Sequence, residues 1–176
     1  MQQEKTNWFS ISMIIIVSGL PGSGKTFFAQ RLSERIDGVH LNSDAVRMSM
    51  TSAPQYSMKD RLANYREMAS RCAGLLALGK TVVLDATFHH HAMRDIFMTL
   101  ARETLSTIRF IEIQASEAVI RNRLAIKRKD SDADFGVYQK LKKRHAEPLT
   151  IPHLVLDSTD GDVERMLRQA IEYLEM

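Results

Sequence analysis

The sequence predicts an α/β fold in which a parallel sheet of five strands carries helices on both faces. Three observations predict it. Strand-like and helix-like segments alternate from residue 13 to the end of the 176-residue chain. The strand-like segments are near-continuous apolar runs, as expected where a sheet is covered on both sides. Finally, a glycine-rich turn, "GLPGSGKT" at 19–26, joins the first strand to the first helix.

The elements follow in order. "MIIIVS" (13–18) reads as a buried strand, and "KTFFAQRLSERI" (25–36) as a helix stopped at Asp37-Gly38, where glycine suits a C-terminal cap. "VHLN" (39–42) is a short second strand, after which Ser43 and Asp44 offer N-cap oxygens to a short helix. A polar, proline-containing stretch spans 51–57. In "MKDRLANYREMASRCAGLLALGK" (58–80), Leu62, Tyr65, Ala69, Cys72 and Leu76 recur at three-to-four spacing, so one helical face is apolar, and Gly79 ends the helix. "TVVLDAT" (81–87) is a third strand, "HAMRDIFMTLARE" (91–103) a helix and "IRFIEI" (108–113) a fourth strand. "SEAVIRNRLAIKR" (116–128) is a helix capped by Ser116. After a polar loop come a helix in "FGVYQKLKKRHAE" (135–147), a fifth strand in "HLVLD" (153–157) and a closing amphipathic helix in "DVERMLRQAIEYLEM" (162–176). No internal repeat or interdomain linker interrupts the series, which gives one domain over 13–176 after an N-terminal extension of 1–12.

The turn at 19–26 asks for a specific ligand. Glycine reaches backbone angles closed to other residues and lets a ligand approach the main chain, so Gly19, Gly22 and Gly24 can wrap a loop whose N–H groups point inward. The helix that starts near Lys25 adds unpaired N–H groups and the positive end of its dipole at the same place. The spacing Gly19-x-x-x-x-Gly24-Lys25-Thr26 is the P-loop pattern, in which the lysine reaches the outer phosphates and the threonine hydroxyl ligates magnesium. Gly19, Leu20, Pro21, Gly22, Ser23, Gly24, Lys25, Thr26 and Phe27 are therefore the candidate nucleotide-binding residues.

Ligands of parallel sheets bind at the carboxyl ends of the strands, and the remaining candidates lie just after strands. Asp44 and Arg47, three apart on a helical turn, point to the same side. That pairs a carboxylate able to accept the proton of an attacking hydroxyl with a guanidinium able to offset charge. Asp85 ends the third strand, where it can hold magnesium or touch the acceptor. Thr87 and Arg94 are candidate substrate contacts. The intervening "HHH" (89–91) reads as a polar acceptor-side loop, since adjacent histidines diverge and zinc ligands are usually spaced by two or more residues. From Arg121 to Arg144, nine Lys or Arg stand against three Asp, a local charge of +6. Arg123 and Arg128, at the edge of helix and loop, suit a lid that closes over a transferring phosphoryl group. Lys140, Lys142 and Lys143 suit a solvated face or an acceptor-binding surface.

Composition narrows the remaining choices. A 44% hydrophobic content supports a sizeable single core, and a net charge of +3 is far from the field of a dedicated nucleic-acid coat. The single cysteine, Cys72, excludes an internal disulfide framework and is expected to pack in the core. The longest apolar stretch, Met13 to Val17, is far short of a membrane span, and a cytoplasmic location is expected.

The series GLPGSGKT, NSDAVR, VVLDAT and RNRLAIKR leading into KDSDAD resembles the small P-loop kinases grouped around 5′-hydroxyl polynucleotide kinases, zeta-toxin kinases and gluconate kinases. The likeness extends over nearly the whole chain after Met13. It implies a three-layer P-loop NTPase fold with a five-stranded core and a short lid at about 127–136, ATP on the P-loop, and Asp44 as base. It also implies Arg47 as a phosphate- or substrate-binding arginine and lid cations around Arg123 and Arg128, with Lys127 or Arg128 in the second lid position. The expected activity is transfer of the γ-phosphoryl of ATP, with Mg2+ held by Thr26 and Asp85, to a hydroxyl on a small molecule or a nucleic-acid 5′ end. The alternative is an ATP-binding regulatory module that transfers no phosphoryl group. A GTP switch is disfavoured, because no Asn-Lys-x-Asp motif occurs.

Overall fold

A computed structural model describes residues 12–50, 57–126, 134–143 and 149–175. Its elements run β1 (Met13–Ser18), α1 (Lys25–Arg35), β2 (Val39–Asn42), α2 (Ser43–Ser49), α3 (Met58–Ala77), β3 (Val82–Asp85), α4 (His91–Glu103), β4 (Thr107–Gln114), α5 (Glu117–Ala125), α6 (Phe135–Lys143), β5 (Leu154–Asp157) and α7 (Val163–Leu174). The sheet order is β2-β3-β1-β4-β5, and every pairing is parallel.

The strand sequences explain the layers. Successive side chains of a strand point to opposite faces. Ile14, Ile16, Val82, Leu84 and Phe110 accordingly pack with Tyr65, Met68 and Cys72 of α3 and Met93 and Phe97 of α4. Ile15, Val17, Val83, Ile111 and Ile113 pack on the other face with Phe28 and Leu32 of α1 and Met166, Leu167 and Ala170 of α7. Each such aliphatic or aromatic side chain contributes roughly 1.5–3 kcal/mol by leaving water. β1 is wholly buried, which is why its sequence is a continuous apolar run. Cys72 is buried as expected, and burial pushes its thiol up to about 12, so it is an inert packing group.

Two local expectations are corrected. The first helix turns off through Asp37, which takes the left-handed angle (φ 54°), while the Gly38 N–H bonds to the Ser33 carbonyl at 2.8 Å. At α2 the cap is neither Ser43 nor Asp44. It is Asn42, whose side-chain oxygen accepts from the N–H groups of Asp44 and Ala45. Asn42 is still extended (φ −99°, ψ 133°) when the helix begins, which is the backbone geometry that lets a side chain fold over the first turn. The long helix α3, by contrast, starts with a capping box in which Ser57 and Asp60 satisfy each other's N–H groups.

The expected N-terminal extension up to residue 11, the stretch 51–56, and the part of the expected lid that carries Lys127 and Arg128 lie outside the described residues. Among the described residues, no helix is long and apolar enough to cross a membrane.

Candidate active site

The chain order reverses at β1, whose carboxyl end therefore opens onto the crevice that parallel sheets use for ligands. The P-loop leaves this strand end. Gly19, Gly22 and Gly24 have φ of 150°, 80° and 90°, angles that L side chains rarely adopt. Space agrees with angle at Gly19: a Cβ there would lie 2.5 Å from the Ile113 carbonyl oxygen and 2.7 Å from Ser23 Oγ. The loop is thus pressed against the end of β4. Gly24 is the N-cap of α1 and brings no side-chain cap of its own, so the first-turn N–H groups have no partner from the cap. Lys25 and Thr26 open the helix there.

Asp85 sits beside them at the end of β3 and is fully buried. Its Oδ2 accepts hydrogen bonds from Asn42 Nδ2 at 2.6 Å and His40 Nε2 at 3.3 Å. Burial pushes this carboxyl up, but the His40 bond, the Lys25 ammonium, the Asn42 bond and the Thr26 hydroxyl together outweigh burial and hold it below the usual carboxylate range. Asp85 is an anion in the interior. Its Oδ1 is buried and accepts no hydrogen bond of normal geometry among the described residues, although the Thr26 hydroxyl is near enough to bias its charge. A buried, unsatisfied carboxylate oxygen beside a P-loop threonine fits a hard cation such as Mg2+, which takes oxygen ligands and is commonly held by one or two carboxylates plus phosphates.

The two carboxylates expected from the sequence are joined by a residue it did not single out. Asn42 and Asp85 are direct partners in the β2–β3 register. One side of the Asn42 amide donates to Asp85, and its oxygen accepts from Asp44 N at 2.9 Å and Ala45 N at 3.0 Å. One amide therefore fixes the buried carboxylate and the start of the helix that carries Asp44. The available signal was an asparagine closing a strand, one residue before a helix.

Asp44 itself is half-exposed and pairs with Arg47 at 3.2 Å across the helical turn. Helix α3 braces this turn through Asn64 Nδ2, which donates to the Ser43 carbonyl at 3.0 Å. Next to Asn64 on α3, Tyr65 is buried, and burial, the largest influence on its phenol, raises its pKa. Its hydroxyl accepts from Phe88 N at 3.2 Å and lies 3.5 Å from Thr87 Oγ1. Thr87 Oγ1 is 3.0 Å from His89 Nδ1, and His89 Nε2 is 3.3 Å from Arg61 Nη1. Because an arginine only donates, Nε2 accepts and Nδ1 carries the proton toward Thr87. Thr87, Arg61 and His89 thus surround the side of the site next to Asp44.

Arg94 is different from its expected role as a substrate contact. It is 6% exposed, and its Nη1 donates to the Phe88 carbonyl at 2.8 Å. Phe88 is held at φ 48°, a strained angle for a bulky residue. Tyr65 takes its N–H, Arg94 takes its carbonyl, and its ring meets those of Tyr65 and Phe97 edge to face at 5.1 and 5.6 Å. Arg94 braces the loop that presents Thr87 and His89. The histidines also act locally: His90 caps α4 through Ala92 N, and its ring stacks on His91 at 4.4 Å.

Arg123 also departs from expectation. It belongs to α5, and its guanidinium donates to the P-loop carbonyls of Gly22 and Ser23. Phe27 is half-exposed, under the guanidinium of Arg31. Arg128, expected beside Arg123, is outside the described residues.

Comparison with known proteins agrees with this geometry. Residues 14–148 match the family described as AAA domain. An uncharacterized protein of Mycobacterium tuberculosis is 29% identical over 170 residues, 89% of this chain but 34% of its own length. The chain thus spans about a third of that relative. Among solved structures, the Mycobacterium tuberculosis APS kinase CysC in complex with AMPPNP and APS superimposes with a TM-score of 0.75 at 18% identity, covering 94% of this chain and 99% of that one. A gluconokinase from Sinorhizobium meliloti does so with a TM-score of 0.67 at 20% identity, covering 92% and 90%. A parallel sheet in the order above, a P-loop of this geometry and a family match over residues 14–148 lead to one assignment: the chain belongs to the AAA domain family of P-loop proteins, with the fold of P-loop kinases.

Proposed function

We propose that the protein is an ATP-dependent kinase that transfers the γ-phosphoryl group to a hydroxyl acceptor. One observation carries the reading. The buried Asp85, with an open oxygen beside Lys25 and Thr26, is tied through Asn42 to the helix that carries a solvent-accessible carboxylate, Asp44. A nucleotide-only module needs the first half of that arrangement, whereas a transferase needs both. The structural likeness to an APS kinase and a gluconokinase supports the same choice.

In this reading backbone N–H groups of the P-loop and of the first turn of α1, with the Lys25 ammonium, hold the β- and γ-phosphates. Mg2+, held by Thr26 and Asp85, would offset charge on the phosphate oxygens. Asp44 orients the acceptor hydroxyl and takes its proton. The acceptor oxygen forms a bond to the γ-phosphorus, the bond from that phosphorus to the β–γ bridging oxygen breaks, and ADP leaves. Arg47 holds the Asp44 carboxylate in place from one turn away and is positioned to meet a charged acceptor. Thr87 lies among the groups that would contact the acceptor, which is either a small molecule or a nucleic-acid 5′ end.

Incubation with γ-labelled ATP and a panel of sugars, nucleotides and 5′-hydroxyl oligonucleotides tests this. Label must appear on an acceptor. Release of inorganic phosphate alone across the panel would leave the regulatory ATPase in its place. A steep fall of acceptor binding with salt would mark a nucleic acid, because each phosphate contact releases counterions.

A further inference from the structure

Against the carbonyls of the P-loop stands a second polar cluster, separate from Asp85 and from Asp44. Arg123 Nη1 donates to Ser158 Oγ at 2.9 Å and to the carbonyls of Ser23 and Gly22 at 3.2 and 3.3 Å, while Nη2 donates to the Ser158 carbonyl at 2.8 Å. Ser158, just past β5 and 5% exposed, donates its own hydroxyl to the Ser23 carbonyl at 2.6 Å. The fit is close on the loop side as well. A Cβ on Gly24 would stand 3.3 Å from Arg123 Nη1, and one on Gly22 would stand 3.0 Å from Ile120 and Leu124 of the same helix. Arg123 and Ser158 are about 100 and 135 residues from the loop they hold.

From this geometry we infer that Arg123 and Ser158 are positioning residues of the phosphate loop. They act on bound nucleotide through its backbone and do not touch the nucleotide. The reason is peptide geometry. In a trans peptide the C=O and N–H point in opposite directions, so anchoring the Ser23 carbonyl on Arg123 and Ser158 turns the Gly24 N–H away from them, toward the loop interior. A guanidinium on the carbonyl side also polarises the Ser23–Gly24 peptide unit and strengthens the Gly24 N–H as a donor. A glycine-rich loop is conformationally permissive, and a fork of donors on its outer face selects the one arrangement in which it is a nest for an anion. The planar fork of arginine suits this task, since several acceptors are met by one rigid group.

This inference rests on the P-loop being the ATP site, and the test separates the two. Affinities of wild type, Ser158→Ala, Arg123→Lys, Arg123→Ala and the Ser158→Ala/Arg123→Ala double variant are measured by calorimetry for ATP, inorganic tripolyphosphate and adenosine. Thermal unfolding is followed in parallel. Arg123→Ala is expected to weaken ATP and tripolyphosphate by the same factor, roughly 10- to 100-fold for lost charge-assisted bonds, and Arg123→Lys by less. Ser158→Ala weakens both in the same ratio. The double variant is weaker than Arg123→Ala by less than the Ser158→Ala factor, because the two residues hold one carbonyl. If Arg123→Ala does not fold, Ser158→Ala and Arg123→Lys carry the test. Undiminished tripolyphosphate affinity in those variants, a loss confined to adenosine, or strictly additive effects would overturn the inference. A wild-type protein that binds no ATP would instead overturn the nucleotide site itself.

Discussion

The two halves of the site are built in contrasting ways. On the nucleotide side the groups are dry and over-determined: Asp85 is fully buried, Ser158 nearly so, and the P-loop carbonyls meet a guanidinium and a hydroxyl. On the side proposed to meet the acceptor, Asp44 and Arg47 are 41% and 26% exposed. Thr87 and His89 are partly buried on a loop braced by Arg94. The contrast follows from what each half must recognise. Phosphates present the same oxygens in every reaction, so a rigid nest of N–H groups serves them all. An acceptor varies between relatives, and a solvent-facing pair of charges on a short helix can be re-aimed without rebuilding the sheet.

The largest expected effect breaks the nucleotide side alone. Lys25→Ala removes the cation proposed to meet the developing charge and is expected to abolish nearly all ATP turnover, a loss of about 10³-fold or more. The folded state should remain intact in circular dichroism. Retained turnover with magnesium-ATP would place the phosphates elsewhere.

Asp44→Asn attacks the acceptor side. Phosphoryl transfer should fall by roughly 10²- to 10⁴-fold, with ATP affinity preserved in the same calorimetric titration. Because Asn42 and not Asp44 caps α2, this exchange touches no cap, and stability should stay within about 0.5 kcal/mol of wild type. Transfer within a few-fold of wild type would remove Asp44 from the chemistry.

Asn42 joins the halves, so its variants sharpen the comparison. Asn42→Ser keeps an N-cap oxygen but loses the amide that donates to Asp85. Stability should fall by about 1–3 kcal/mol, because a buried carboxylate loses a charge-assisted bond, while activity or magnesium affinity drops roughly 10- to 100-fold, the usual cost of releasing an outer partner of a metal ligand, the role proposed for Asp85. Asn42→Ala loses the cap as well and should cost about 1 kcal/mol more in denaturant unfolding. An Asn42→Ser enzyme with wild-type magnesium dependence would cut the link between the two carboxylates.

The smallest expected effect is on stability against pH. The folded carboxyl of Asp85 is held below its ordinary value. Its contribution to stability is therefore complete above the unfolded pKa of about 3.9 and is lost as pH falls through the lower folded value. Unfolding midpoints measured from about pH 5 downward should fall more steeply for wild type than for Asp85→Asn. Equal slopes would mean that Lys25, His40 and Asn42 give no net stabilisation to the anion.

How much of this was legible before folding depends on the range of the interaction. The P-loop was fully legible, because its requirements are local: three glycines at fixed offsets, a buried strand before and a helix after. The five strands, the helical faces of α3 and α7 and the strand-end positions of Asp44 and Asp85 were legible for the same reason, since periods of two and 3.6 residues are written in consecutive positions. Local rules erred where three neighbouring residues were equally able. Asn42, Ser43 and Asp44 all carry cap oxygens, and the strand's extended backbone decided for Asn42.

By itself, then, the sequence determined the nest for phosphate, the α/β architecture and the presence of carboxylates at strand ends. Only the tertiary structure decided which partners those groups keep. Asn42 meets Asp85 because β2 lies beside β3 in a register that aligns positions 43 residues apart. Arg123 meets the Gly22 and Ser23 carbonyls because α5 packs against the P-loop. Arg94 is turned inward, where its guanidinium meets the carbonyl of Phe88, a residue at a left-handed angle. The physical reason is common to all three. A hydrogen bond between distant residues depends on strand order, register and packing angle, and these are set by the burial of the whole core rather than by any short stretch of chain.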